Sequence, residues 1–289
     1  MLTLNTLFAD AGINANETVV ARHTPKEVGL RRVMPWMVAE RPDLFKIFQA
    51  LQAEKFEAAL TKARYMAAFL ANGPKSAIFA GLYQINGYRR VTHDEYWAIA
   101  ENRELRELGM DGMEAGSRDP LLFDLAEKDA LADWIGKLCI TWPGLERSWW
   151  RWADRNTMPV SAILPESAFS RAMIEWDALV LSWAELQVLP ASWRAKLAEW
   201  RGVYLIFDVA RAQGYVGSAY GEDNILGRWR NYAATGHGGN VRLRQSNPAD
   251  LRFSILQRTS PDMIPEDVIR LEGLWKLRLH TRSHGLNVN

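Results

Sequence analysis

Gly202-Val203-Tyr204 and Tyr215-Val216-Gly217 stand ten residues apart in two short apolar runs, and the reading of residues 202–287 decides how the rest of the chain is understood. Residues 203–207 are β-branched, aromatic or aliphatic and residues 213–218 form a second short run, which together predict a β-hairpin. Asp223 or Asn224 caps a predicted helix ending at Tyr232 or Ala233. Its apolar face carries Ile225, Leu226, Trp229 and Ala233, with Arg228 and Tyr232 four residues apart along one edge. Residues 251–257 read as a third strand. Residues 265–279 predict another helix with Val268, Leu271, Trp275 and Leu279 on one stripe, and Glu272 falls inside that stripe. A carboxylate facing apolar packing is costly unless something pairs with it, so a metal ion or an arginine is expected beside Glu272.

The order of these features resembles the GIY-YIG nuclease domain. Gly202-Val203-Tyr204 and Tyr215-Val216-Gly217 look like the two name-giving tripeptides, Gly227-Arg228-Trp229-Arg230 like the arginine helix, and Glu272 like the single metal-binding glutamate. Gly285-Leu286-Asn287 stands where the family ends with Gly-Tyr-Asn, and residues 236–240 and 253–256 are similar to stretches of phage homing endonucleases in this family. The resemblance implies metal-dependent hydrolysis of a DNA phosphodiester, with Mg2+ or Mn2+ as cofactor. By carry-over Tyr204 activates the attacking water, Tyr215 positions the water or the phosphate, and Arg228 neutralises charge growing on the phosphorus. Glu272 holds the metal ion and Asn287 orders the pocket. Phosphate is already anionic, so a nucleophile approaches it only when cationic charge offsets the repulsion. The implied mechanism also expects the metal and the arginine to lower the phenol pKa of Tyr204. Tyr232 occupies a position where many members carry histidine, so the role of general base is open between Tyr204 and Tyr232. Each residue also has a plainer reading: a tyrosine in an apolar strand as core, Arg228 as a solvated charge, Glu272 as half of a helix-face ion pair. Their joint occurrence in this order favours the catalytic one.

Composition constrains the rest. The chain has 289 residues, 48% hydrophobic and 24% charged, enough for two domains. No stretch nears eighteen apolar residues and the start lacks a basic lead before an apolar core, so neither a membrane partner nor secretion is expected. The lone Cys139 excludes an internal disulfide and fits a cytoplasmic location. The net charge of +1 divides unevenly: residues 200–289 hold 12 Lys and Arg against 8 Asp and Glu, while the remainder is net acidic. His237, Arg230, Arg242 and Arg244 are the expected phosphate contacts, on double-stranded DNA. His237, His280 and His284 lack the cysteine partners of a zinc site, which leaves DNA contact or solvent exposure.

Upstream, residues 18–22, 77–85, 123–125, 137–142, 149–152 and 160–164 read as strands, with helices over residues 43–51 and 55–70. Asn86-Gly87 reads as the turn ending its strand, and residues 90–116 as either a solvated helix or a mobile insertion. This order resembles the PUA-like β-barrels, which include modified-base readers, and implies that a flipped base is held in an aromatic pocket. Trp36, Trp142, Trp149, Trp150 and Trp152 are the candidate material, although tryptophans at alternating strand positions are mostly core. Residues 165–200 read as helical.

The expected fold is therefore α+β: residues 1–165 a PUA-like mixed β-barrel with flanking helices for DNA or modified-base recognition, 166–200 a helical connector, and 201–289 a GIY-YIG α/β sandwich with a small antiparallel sheet. The expected function is a restriction or anti-phage defence endonuclease, cutting DNA that carries modified bases and pairing as a homodimer on it. The alternatives are a structure-specific repair nuclease and a catalytically inactive DNA-binding or regulatory module.

Overall fold

The computed structural model describes residues 1–144, 148–170 and 173–288. It divides into two compact units, Met1–Ser170 and Arg171–Asn289. The first contains α1 (Leu4–Asp10), β1 (Thr18–His23), α2 (Val28–Glu40), α3 (Pro42–Ala50), α4 (Glu54–Leu60), β2 (Tyr65–Ala71) and β3 (Ser76–Arg90). It continues with α5 (His93–Ala98), α6 (Ala100–Glu107), β4 (Leu121–Glu127), β5 (Leu138–Thr141), β6 (Trp150–Trp152) and β7 (Val160–Ile163). The second contains β8 (Val180–Ser182), α7 (Trp183–Gln187), α8 (Ala191–Glu199), β9 (Arg201–Asp208), β10 (Gln213–Ala219), α9 (Asn224–Thr235), β11 (Leu251–Thr259) and α10 (Pro265–Arg278).

The seven strands of the first unit form one mixed sheet, curled into a half-barrel, in the order β6-β1-β2-β3-β5-β7 with β4 also on β3. β1 and β2 run parallel and the other pairs antiparallel. Among the described residues β6 and β7, at the ends of the path, do not pair, so the closed barrel expected from the sequence is not formed. Val20, Ala67, Phe69, Phe79, Leu138, Ile140 and Trp142 of this sheet and its flank share one core with Leu4, Leu7 and Phe8 of α1.

Two local expectations are corrected here. Residues 65–70 are strand and not the end of a helix: β2 is buried on both faces, and such a strand loses the period-two alternation that marks a half-exposed one. β3 runs through Asn86-Gly87, where a bulge between Ile85 and Gly87 absorbs what reads as a turn. Residues 90–116 hold α5 and α6, the former opened by a capping box between Thr92 and Glu95. α2, with Pro35 inside it, has no counterpart among the predicted elements.

The second unit is built on a four-stranded antiparallel sheet, β10-β9-β11-β8. Residues 180–182, expected within a helical stretch, are its edge strand β8, so part of the predicted connector belongs to this sheet. α9 covers one face, with Trp229 against Phe253 of β11 at a ring-centroid distance of 5.7 Å. α10 covers the other, where Trp275 Nε1 donates to Gln257 Oε1 at 2.9 Å. No helix among the described residues is long and apolar enough to cross a membrane.

Candidate active site

Tyr204 on β9 stands opposite Gly217 on β10 in the antiparallel register, and Ile206 stands opposite Tyr215. Directly opposed residues share a face, so both tyrosines point to the side covered by α9. Gly217 is what lets Tyr204 lie there, because a Cβ at that position would sit 2.5 Å from Tyr204 Oη. From α9, Tyr232 brings its hydroxyl to 3.3 Å from Tyr204 Oη, and its ring lies 6.0 Å from that of Tyr215. One turn earlier on the same helix, Arg228 Nε donates to Tyr204 Oη at 3.3 Å. Past the end of α9, Gly238 at φ +54° passes so close that any side chain there would run into the Tyr232 ring. The structure therefore brings together four of the predicted residues, Tyr204, Tyr215, Arg228 and Tyr232.

Tyr204 and Tyr232 are shut away from water, whereas Arg228 is exposed at the surface beside them. Tyr204 is 0% exposed. Burial pushes its phenol up to about 12, and the neighbouring Tyr215 pushes the same way; Arg228 and the Tyr232 hydroxyl oppose this and do not outweigh it. The expected lowering of the Tyr204 phenol is thus reversed for the chain's own residues. The Tyr232 phenol is also raised, chiefly by burial. Proximity to the Tyr204 oxygen is the main cause that raises the Arg228 guanidinium, which stays cationic. Tyr215 is only half-buried, and it is the tyrosine of the pair with access to solvent.

Glu272 faces inward from α10 as its place on the helix stripe requires, but its partner is a lysine. Its carboxylate accepts from Ser218 Oγ and pairs with Lys276 Nζ at 2.7 Å. Both side chains are largely buried, at 17% and 10% exposure. Glu and Lys four residues apart on a helix are neighbours, so this pair was legible in the spacing and the sequence reading passed it over. Ser218 follows Gly217, and strand side chains alternate, so Glu272 reaches β10 from the face opposite the tyrosines, one residue further on. Glu272 and the Tyr204–Arg228 group approach the same strand without bonding to each other.

Asn287 has a structural task that sequence could not assign. β10 is an edge strand, and Asn287 Oδ1 accepts from Val216 N at 2.9 Å while Nδ2 donates to Val216 O at 2.8 Å. With Leu286 N donating to Gly214 O at 2.9 Å, residues 286–287 take the place of a further strand and satisfy backbone groups that an edge leaves open. This holds the strand that carries Tyr215.

Of the residues expected to touch DNA, Arg230 and Arg244 are exposed. Arg242 is also exposed but spends its guanidinium on Gly285 O, at 2.8 Å. His237 Nδ1 accepts from Gly239 N at 2.9 Å, which shapes the loop after α9. Among the described residues no group of three or more His, Cys, Asp or Glu side chains is arranged to hold a metal ion. Glu272 alone fits an ion such as Mg2+, which keeps most of its waters and takes one or two carboxylates, but Lys276 competes for that carboxylate.

The candidate base-reading tryptophans separate into three groups. Trp36 and Trp142 are core residues, 3% and 1% exposed, and cannot wall a ligand pocket. Trp152 packs beneath Arg155, whose guanidinium carbon lies 5.7 Å from its ring. Trp149 and Trp150 line cavities on the surface of the first unit, and Phe56 separates them with ring-centroid distances of 4.7 and 5.3 Å.

No protein-family model matches this sequence, and no curated protein matches it. Among solved structures it is similar to the catalytic domain of the intron endonuclease I-TevI in a point-mutant form, at 22% identity and a TM-score of 0.27, over 31% of this chain and 94% of that one. A second structure, of the catalytic domain of the homing endonuclease I-TevI, gives 22% identity and a TM-score of 0.26 over 31% of this chain and 98% of its own. Scores this low do not establish a common fold.

Proposed function

We propose that the second unit is a phosphodiesterase centre acting on double-stranded DNA, an endonuclease of the GIY-YIG kind. The observation that carries this reading is the grouping about β10: Tyr204 lies across Gly217 with Arg228 and Tyr232 on its hydroxyl, and Glu272 reaches the next residue, Ser218, from the other face of the strand. Arg228 supplies a fixed cation for the charge that grows on phosphate oxygens. Tyr204 orients Arg228 from below, since its own oxygen is shut away from water, and Tyr215, with solvent access, is the group able to position the attacking water or the phosphate. Glu272 is the residue that would hold a divalent ion, and Ser218 and Lys276 fix its carboxylate. When bound, Mg2+ or Mn2+ would supply Lewis-acid polarisation of the phosphate. Arg230 on α9, His237 just after it and Arg244 further along the same loop would contact a DNA backbone. Restriction of DNA bearing modified bases and defence against phage are the biological roles to test first.

A second reading, a catalytically inactive DNA-binding module, is favoured by one observation: Glu272 already has its charge matched by Lys276, as a purely structural ion pair would. Incubating the purified chain with plasmid and Mg2+ separates the two. Under the endonuclease reading the wild type nicks or linearises DNA, Glu272→Gln abolishes cutting by at least about a hundredfold, and DNA binding in a mobility-shift assay is retained. Absence of cutting on modified, unmodified and branched DNA, with binding intact, would sink the endonuclease reading in favour of the module.

A further inference from the structure

α10 presents more apolar surface to solvent than its own packing uses. Ile269 and Leu277 are exposed at 50% and 67%, Leu274 beside them at 44%, and Ile264 just before the helix is exposed as well. Ile269, Gly273 and Leu277 follow one another at four-residue spacing, so they form a single ridge along the helix, on the side away from the buried Val268. Exposed apolar surface of this extent on one element marks a contact with something else. Gly273, at the middle of the ridge, is a second feature that the fold leaves unexplained. Glycine weakens a helix interior, and nothing within the chain demands it here, because a Cβ at that position would meet no atom within 4 Å. The close approach of another backbone would demand it.

The charges on α10 decide what that partner is. Its ends are opposite in sign, with Glu266 and Asp267 in the first turn and Lys276 and Arg278 in the last. Asp267 and Lys276 are matched within the chain, by Arg270 at 3.1 Å and Glu272 at 2.7 Å. Glu266 and Arg278 are exposed and neither has an ion-pair partner among the described residues; Arg278 lies over the Trp275 ring at 5.3 Å. Two copies of the helix laid antiparallel about a twofold axis at Gly273 would set Ile269 of one against Leu277 of the other, and turn Glu266 of each towards Arg278 of its mate. A parallel arrangement would put like charges side by side.

We propose that α10 is a self-association surface through which two copies of this chain pair in solution without DNA, by an antiparallel contact along Ile269, Gly273 and Leu277 with Glu266 facing Arg278 at each end. A single helix pair is a small interface, so the dimer is weak and dissociates on dilution. The pairing is independent of the endonuclease reading, because none of these five side chains belongs to the group around Tyr204 or to the Glu272–Lys276 pair.

The test is sedimentation velocity of the purified full chain, without DNA, from about 1 to 100 μM. The mean mass should climb from that of one chain towards that of two. Leu277→Glu, at an exposed position, should hold the mass at one chain throughout. Gly273→Leu separates association from folding: it puts a good helix former where the fold leaves room, so the thermal midpoint of the dilute protein should hold or rise while the dimer is lost. Glu266→Lys and Arg278→Glu should each weaken pairing roughly tenfold, and an equimolar mixture of the two should restore it, because every end contact is then between opposite charges. A chain that stays single at every concentration overturns the pairing and leaves the ridge to a different partner. A dimer that survives Leu277→Glu and Gly273→Leu, or a mixture no tighter than the separate variants, overturns it as well.

Discussion

Two clusters of buried polar groups, one in each unit, are managed in opposite ways. In the second unit the candidate site is closed on itself: Tyr204 bonds to Tyr232 and Arg228, Glu272 to Ser218 and Lys276, and Asn287 to both polar atoms of the Val216 backbone. In the first unit the buried Asn102 donates to Tyr96 O but keeps its side-chain oxygen without a partner among the described residues. A closed network fixes positions before anything binds, and a buried oxygen left over is a cost that the packing around it must offset. The same contrast applies to the aromatic residues. Tyr204 and Tyr232 of the second unit lie against Gly217 and Gly238, while the tryptophans of the first divide into core and wall with no sequence feature to tell them apart.

Three experiments would break or sharpen this contrast, in descending size. Trp142→Ala should cost about 3–5 kcal/mol in denaturant unfolding, as expected for a fully buried aromatic that also donates to Ser148 O at 3.0 Å. Trp149→Ala, at the cavity wall, should cost no more than about half as much. Equal losses would erase the division between core and wall. Gly217→Ala drives a methyl group into Tyr204 Oη and should destabilise by about 1–3 kcal/mol, an overpacking cost. The companion readout is the tyrosine ultraviolet spectrum; an unchanged spectrum and unchanged midpoint would mean that Tyr204 does not lie across Gly217.

The smallest effect is Tyr204→Phe, worth about 1 kcal/mol near neutral pH for its two long hydrogen bonds. Its signature lies in alkali. The Tyr204 phenol titrates near 10 in the unfolded chain and is raised to about 12 in the fold, so folding favours the protonated form. That contribution is complete below pH 10 and declines as the pH climbs towards 12, because there the unfolded chain has released a proton that the folded one retains. Tyr204→Phe should therefore flatten the loss of stability between pH 10 and 12. A variant that loses stability over that interval as steeply as the wild type would show that Tyr204 is not shielded from water.

Much of the second unit was legible in its sequence. β9, β10, β11, α9 and α10 fall where alternation, helical spacing and capping residues place them, and Arg228 and Tyr232 lie on one helix edge because four residues make about one turn. The inward direction of Glu272 was legible for the same reason. Lys276 was overlooked as a partner, since the carboxylate's need for a cation can be met in part by a lysine one helical turn away. In the first unit the strands β1, β4, β5, β6 and β7 were legible, while β2 was not, because burial on both faces leaves no periodic signal.

By itself the sequence determined the local elements and the set of residue types able to do phosphate chemistry, for both depend on spacings of a few residues that the backbone geometry translates directly into a face or an edge. Only the tertiary structure decided that Gly217 and Ser218 present the tyrosine group and the carboxylate on opposite faces of one strand, that Asn287 serves as an edge partner, and that Asn102 is buried. Those facts depend on which distant segments pack together, and desolvation, which raises the Tyr204 phenol and leaves the buried Asn102 oxygen without a partner, exists only after they have done so.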